Sequence, residues 1–209
     1  MPSANRRLIF GAAAVFLALQ SPVAAAPFDD ALAAYNKGDF AKAAHLFQQL
    51  ANAGDAQAEH NLGFLYHVGK GVAQDDATAM SWYRKSADQG LAASQFNLGV
   101  MYQEGQGVSA DLDQAVVWYV KAANQNNLAA ENKLFQYYFA KQDTADAFIW
   151  VRKAAEQGDA GAQFNLGSFY FNGWGAPKDN KQARVWYAKA AAQRFPDAAD
   201  VLKKLDAVK

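Results

Sequence analysis

The sequence predicts an all-α fold, a solenoid of stacked antiparallel helix pairs. Trp82, Trp118, Trp150 and Trp186 recur at intervals of 36, 32 and 36 residues, a period in the range of repeat architectures. Each sits in the same frame: Asp seven residues before (Asp75, Asp111, Asp143, Asp179), Ala three before (Ala79, Ala115, Ala147, Ala183), Lys three after (Lys85, Lys121, Lys153, Lys189) and Ala five after (Ala87, Ala123, Ala155, Ala191). Within the frame the apolar positions keep helical spacing, so that Ala115, Trp118, Tyr119, Ala122 and Ala123 share one face. A single helix pair cannot bury such a face alone, and the pairs must stack into a continuous core.

The first element is a leader. Arg6 and Arg7 precede an apolar run from Leu8 to Leu19, too short for a stable span, and Val23 to Ala26 supply small residues for a cleavage site. This is the make-up of a secretory signal over residues 1–25, cut after Ala25 because proline directly after the scissile bond would obstruct the peptidase. An uncleaved anchor is the rival reading. Cleavage leaves about 180 residues with 18 basic against 20 acidic side chains, a charge of −2. That balance is no footprint for nucleic acid or anionic lipid. No second apolar stretch follows, so no stable membrane insertion is expected. The chain has no cysteine, and packing alone must hold the fold. A leader of this kind points to the periplasm.

Residues 27–55 come next, with Gly38-Asp39-Phe40 and Ala43-Ala44 marking a helical pair that opens the stack. Four repeats follow over 56–194. Their first helices read Asn61-Leu62-Gly63 to Tyr66, Asn97-Leu98-Gly99 to Tyr102 and Asn165-Leu166-Gly167 to Tyr170. Glycine inside a helix costs about 1 kcal/mol against alanine, and its recurrence at one place predicts a tight helix crossing. A glycine loop separates the helices: Gly69-Lys70-Gly71-Val72, Gly105-Gln106-Gly107-Val108, Gly173-Trp174-Gly175-Ala176. The first glycine suits a left-handed helix end. A phosphate cradle would need a preceding strand and a following Lys-Ser/Thr, and neither is present. The second helices begin after Asp75, Asp111, Asp143 and Asp179, which are placed as N-caps, with Gln114 and Gln182 placed to complete capping boxes. The third repeat departs from the pattern. Leu134 and Tyr138 keep register, but Phe135 replaces the glycine, Val151 replaces the tyrosine, and the glycine loop is lost with four residues. A shorter connection and a local change of pitch are expected there. Residues 195–209 read as a closing amphipathic helix, with Val201, Leu202 and Leu205 inward.

The pattern Asn-Leu-Gly-x-x-Tyr-x-x-Gly-x-Gly-Val, then Asp, then Ala-x-x-Trp-Tyr-x-Lys-x-Ala, resembles the Sel-one-like repeat, an offshoot of the tetratricopeptide repeats with a longer inter-helix loop. The match runs from about Ala56 to Gln193. The resemblance implies a right-handed α-solenoid whose first helices line a concave, partner-binding face. On that basis the candidate site is His60, Asn61, Phe64, His67, Asn97, Val100, Gln103, Asn132, Gln136, Phe139, Asn165, Ser168, Phe171 and Trp174. Aromatic and amide groups with little charge suit a protein or peptide partner. Phe96 and Phe164 occupy one repeat position and read as packing between repeats. The recurring asparagines either clamp a bound backbone or satisfy inter-helix hydrogen bonds. Trp174, in its loop, is either a lid on the neighbouring helix or an exposed anchor.

A catalytic site would need a nucleophile with a base, or paired carboxylates outside the repeat pattern. There is no cysteine, and the repeated acids sit at caps. His45, His60 and His67 lack the tight spacing of a metal site. No catalytic residue, metal or cofactor is therefore expected. Cysteine-rich relatives that carry a β-lactamase label are cross-linked once per repeat, which this chain is not. The resemblance implies a non-catalytic interaction module, expected to be a monomer, in one of the roles the family is known for: an envelope or secretion scaffold, a regulator of a sensor kinase, or an immunity protein. Binding of cell-wall glycan or peptide is the alternative from a different class, and a β-lactamase-like hydrolase stands behind it.

Overall fold

Helices follow one another along the whole of residues 28–207, the part of the chain that the computed structural model describes; the proposed leader lies outside it. The opening pair is α1 (Phe28–Asn36) and α2 (Phe40–Asn52). Four pairs succeed it: α3 (Ala56–Val68) with α4 (Asp76–Asp88), α5 (Ala92–Glu104) with α6 (Leu112–Ala123), α7 (Leu128–Ala140) with α8 (Thr144–Glu156), and α9 (Ala160–Asn172) with α10 (Asn180–Ala192). The closing α11 (Ala198–Ala207) begins three residues later than the sequence suggests, because Phe195 to Asp197 form a turn. Each helix packs chiefly against the one before and the one after it. The result is an α-solenoid with a core that runs along the stack.

The expected caps are present, and they differ from a capping box. Asp75, Asp111 and Asp179 accept the backbone N–H groups of Thr78, Gln114 and Gln182. Their own N–H groups donate to the carbonyls of Tyr66, Tyr102 and Tyr170 in the preceding helix. That backbone bond takes the donor that a Gln114 or Gln182 side chain would have satisfied, so the box closes between helices.

The recurring lysine has a partner. Lys85, Lys121, Lys153 and Lys189 lie 3.8, 3.7, 4.7 and 3.8 Å from the ring centroids of Trp82, Trp118, Trp150 and Trp186. Cation–π contacts of this kind contribute roughly 0.5–1 kcal/mol at exposed sites. Trp118 and Trp186 are buried, whereas Trp82 and Trp150 are half-buried with a lysine ammonium over the ring. Burial of the indole thus differs between repeats, full for two and partial for two.

The tight crossings are where the glycines are. A Cβ on Gly99 would meet the Tyr119 ring at 2.5 Å, and one on Gly167 the Tyr187 ring at 2.9 Å. Gly63 stands against Tyr83 in the same way. The third repeat exchanges the pair: Phe135 takes the place of glycine and Val151, fully buried, the place of tyrosine. The aromatic ring thus stands on the first helix instead of the second. Its inter-helix turn changes too. Asn36-Lys37-Gly38-Asp39 of the opening pair reappears as Ala140-Lys141-Gln142-Asp143, with Gln142 at φ 59 where Gly38 has φ 80.

A part-buried ladder of glutamine donors ties the pairs together. Gln89, Gln125, Gln157 and Gln193, at the ends of the second helices, donate to Glu59, Gln95, Glu131 and Gln163 of the first helices at 2.6–2.8 Å. Gln95 and Gln163 also donate to the Ala87 and Ala155 carbonyls of the preceding repeat. Glu131, with no exposed surface, has no such proton when ionised, and its Oε1 lacks a hydrogen-bond partner. Burial raises its carboxyl above the usual range, against the opposing pull of Gln157 and Lys153. An acid with a raised folded-state pKa stabilises below the unfolded value and loses that stability as pH rises through the folded one. E131Q supplies the amide that Gln95 and Gln163 have at this position. It is expected to raise unfolding free energy by about 1–3 kcal/mol at neutral pH, with the gain shrinking on acidification; urea titrations across pH 3–8 (about the span of carboxyl titration) check it.

Candidate functional site

The stacking register sorts the candidate residues into rows along the first helices. His60, Phe96, Asn132 and Phe164 form one; Asn61, Asn97, Lys133 and Asn165 the next; then Phe64, Val100, Gln136 and Ser168; then His67, Gln103, Phe139 and Phe171. Identical placement on successive helices brings each row into line on one face. Lys133 was not among the sequence candidates. Applying offsets of 36 and 32 residues puts it in the asparagine row, which is the signal that would have found it.

The first row is structural. His60 Nδ1 stands 2.8 Å from Ser94 Oγ, Ser94 Oγ donates to Ser86 Oγ, and Ser86 Oγ donates to the Ala56 carbonyl. With both hydroxyl protons committed, the histidine must donate through Nδ1. That polarity is opposite to the one that activates a serine nucleophile, and Ser94 has no exposed surface. Burial lowers the His60 pKa. Phe96 packs 5.7 Å from Tyr119 of its own helix pair, and Phe164 5.2 Å from Tyr187 of its own pair and 5.2 Å from Phe195 ahead of α11, so these ring contacts fall within a repeat rather than between repeats. Asn132 is half-buried.

The other rows line a series of hollows. Asn61 and Phe64 border one of 210 Å³ against the opening pair, although Asn61 also donates to its own helix at the Gln57 carbonyl. Phe64, His67, Asn97 and Val100 border the next, 170 Å³. His67 is not free there: Nδ1 lies 2.7 Å from Asp76 Oδ1. Gln103 and Gln136 border a hollow of 610 Å³, and Gln103 also accepts from the Tyr119 hydroxyl at 2.9 Å. Ser168 and Phe171 border one of 460 Å³, closed on its far side by Val201 and Leu205 of α11. Ser168 also lies 3.0 Å from the Tyr187 hydroxyl. Asn165 is half-buried and lines none of these hollows.

Trp174 both covers and projects. Its ring is perpendicular to Phe169 at 5.7 Å and lies 6.0 Å from Phe139 of the preceding repeat, yet it stays 40% exposed. With Phe139 at 44% it makes an exposed aromatic pair at the ends of α7 and α9, and Phe171, at 36%, is exposed on α9 with Lys178 5.0 Å from its ring. Such amphipathic, weakly charged patches are typical of interaction sites. Among the described residues no three His, Asp or Glu side chains group as metal ligands would, and no helix is long and apolar enough to cross a membrane.

A family model described as Sel1 repeat matches residues 33–55, 56–91, 92–127, 128–159 and 160–195. It thus counts part of the opening pair as a repeat and includes the shortened third. Comparison with curated proteins finds no match. Among solved structures, the chain is similar to a protective antigen of uropathogenic Escherichia coli strains displaying an SLR fold, with 34% identity and a TM-score of 0.77. The alignment covers 84% of this chain and 39% of the antigen, so this chain spans well under half of that protein's length. It is also similar to a Sel1 repeat protein from Oxalobacter formigenes: 35% identity, TM-score 0.70, 85% of this chain and 74% of the other.

Proposed function

Since the chain belongs to the Sel1 repeat family, whose members are typically protein–protein interaction modules, we propose that it is an exported, non-catalytic adaptor that grips a protein or peptide partner along its first-helix face. The observation that carries this reading is the line of hollows on that face, bordered by Phe64, Val100, Gln136, Ser168 and Phe171 and ending beside the exposed Phe139, Phe171 and Trp174. Aromatic anchors in shallow pockets, ringed by amides, are the chemistry of protein interfaces. Export rests on the leader motif of residues 1–25, and a periplasmic partner follows from it.

The test is affinity capture of the chain, expressed with its leader, followed by crosslinking and mass spectrometry. Crosslinks should concentrate on α3, α5, α7 and α9. Joint substitution F64A/H67A/F171A should remove the specific partners while the circular dichroism spectrum and monomeric mass are kept. Retention of every partner by the folded variant, or capture by purified cell-wall sacculi in place of proteins, overturns the reading.

A further inference from the structure

The glycine loops do more than connect helices. Each lies against the start of the second helix in the preceding pair, where its second glycine meets the backbone. A Cβ on Gly107 would stand 2.5 Å from the Asp76 carbonyl oxygen, and a Cβ on Gly71 or Gly175 would overlap the carbonyl of Phe40 or Thr144. The residue after that glycine turns inward: Val72 packs on the core of the opening pairs and Ala176 on that of the last. Phe40, Asp76 and Thr144, each the first residue of its helix, are half-buried under these loops.

Leu112 is the equivalent first residue of α6, and nothing covers it, because the third repeat has lost its loop. It is 48% exposed, an apolar side chain at a position that glycine loops roof in α2, α4 and α8. The vacancy is the 610 Å³ hollow, floored by Leu112, Ala110 and Ala140 and bordered by Tyr137, Lys133 and Lys141. Lys141 lies over the Tyr137 ring at 4.5 Å. Two lysines and no carboxylate line the hollow, with Asp113 near Lys141 but outside the lining.

We propose that this notch receives an extended, acidic peptide segment of a partner protein, carrying a small-x-small-aliphatic sequence and laid down as the chain's own glycine loops are laid on α2, α4 and α8. The proposal rests on the partner-binding reading above and names the chemistry of one part of it. The loops supply the template for shape, because only a residue without Cβ approaches the helix start closely enough. Lys133 and Lys141 supply the charge preference, since rim cations select flanking carboxylates.

The probe is a blocked synthetic peptide with the sequence of Glu104–Asp111, which has glycine, glutamine, glycine and valine between two acids. Added to the isotopically labelled chain, it should shift the amide signals of Leu112, Ala140 and Lys141 saturably, with a Kd of about 0.1–1 mM for so short a ligand. K133E/K141E should weaken binding about tenfold or more at unchanged thermal midpoint. A peptide with valine at the second glycine should not bind. Absence of saturable shifts up to about 5 mM peptide, or equal shifts from a scrambled peptide, overturns the proposal. Leu112 shifts that follow protein concentration without peptide would assign the notch to a second copy and overturn it too. If the peptide fails while F64A/H67A/F171A still loses its captured partners, the notch falls and the broader reading stands.

Discussion

Gly71→Ala should lower unfolding free energy by about 3–5 kcal/mol. Two costs add. At φ 75 an L-residue bears left-handed strain of roughly 1–2 kcal/mol, and the new Cβ overlaps the Phe40 carbonyl, a rigid backbone group that has no rotamer to yield. Gly38→Ala separates the terms, since Gly38 has φ 80 and open space around its missing Cβ; it should cost only the strain. Because each pair touches chiefly its neighbours, the damage is local first. Hydrogen exchange should accelerate in α1 and α2 before α9 and α10. Equal losses for the two variants, or uniform exchange along the chain, would show that the loop does not hold the opening pair.

The second large effect is at the exchanged pair of the third repeat. Phe135→Gly removes a ring that packs on the core cluster containing Val151 and edge-on against Phe169 at 5.9 Å. It should cost about 3–5 kcal/mol for the cavity and about 1 for glycine in a helix. Val151→Tyr forces a large ring into a fully buried site and should cost about 1–3 kcal/mol. The double variant recreates the glycine–tyrosine crossing of the other repeats, so its loss should fall short of the sum by at least about 2 kcal/mol. Denaturant unfolding of the four proteins measures this coupling. Additivity within about 0.5 kcal/mol would mean that the two positions do not share one volume. Recovery should be incomplete, because Phe135 also stacks on Phe139 at 5.6 Å.

The periodic residues were legible in advance for a physical reason. A position that recurs every 36 residues with the same type answers the same neighbour each time, and spacing alone identifies its face. The N-cap aspartates, the glycines at the crossings and the left-handed glycines that end α3, α5 and α9 were therefore readable. The site was less so. His60 and His67 stand on the candidate face, but Ser94 and Asp76 engage them, and those partners lie 34 and 9 residues away. No local pattern announces such a pairing. Lys133 was hidden by the register break, and the loss of the third loop was visible only as four missing residues.

By itself, the sequence determined the all-α class, the repeat period and the place where the pattern fails, because these depend on periodicity and on which residues tolerate a helix interior or a left-handed turn. Only the tertiary structure decided what the exceptions mean. It showed that Phe135 and Val151 stand in one core cluster, that Glu131 Oε1 is buried without a hydrogen-bond partner, and that a missing loop leaves Leu112 bare. Each of these depends on the contact between one repeat and the next, where distance in space is set by stacking rather than by position along the chain.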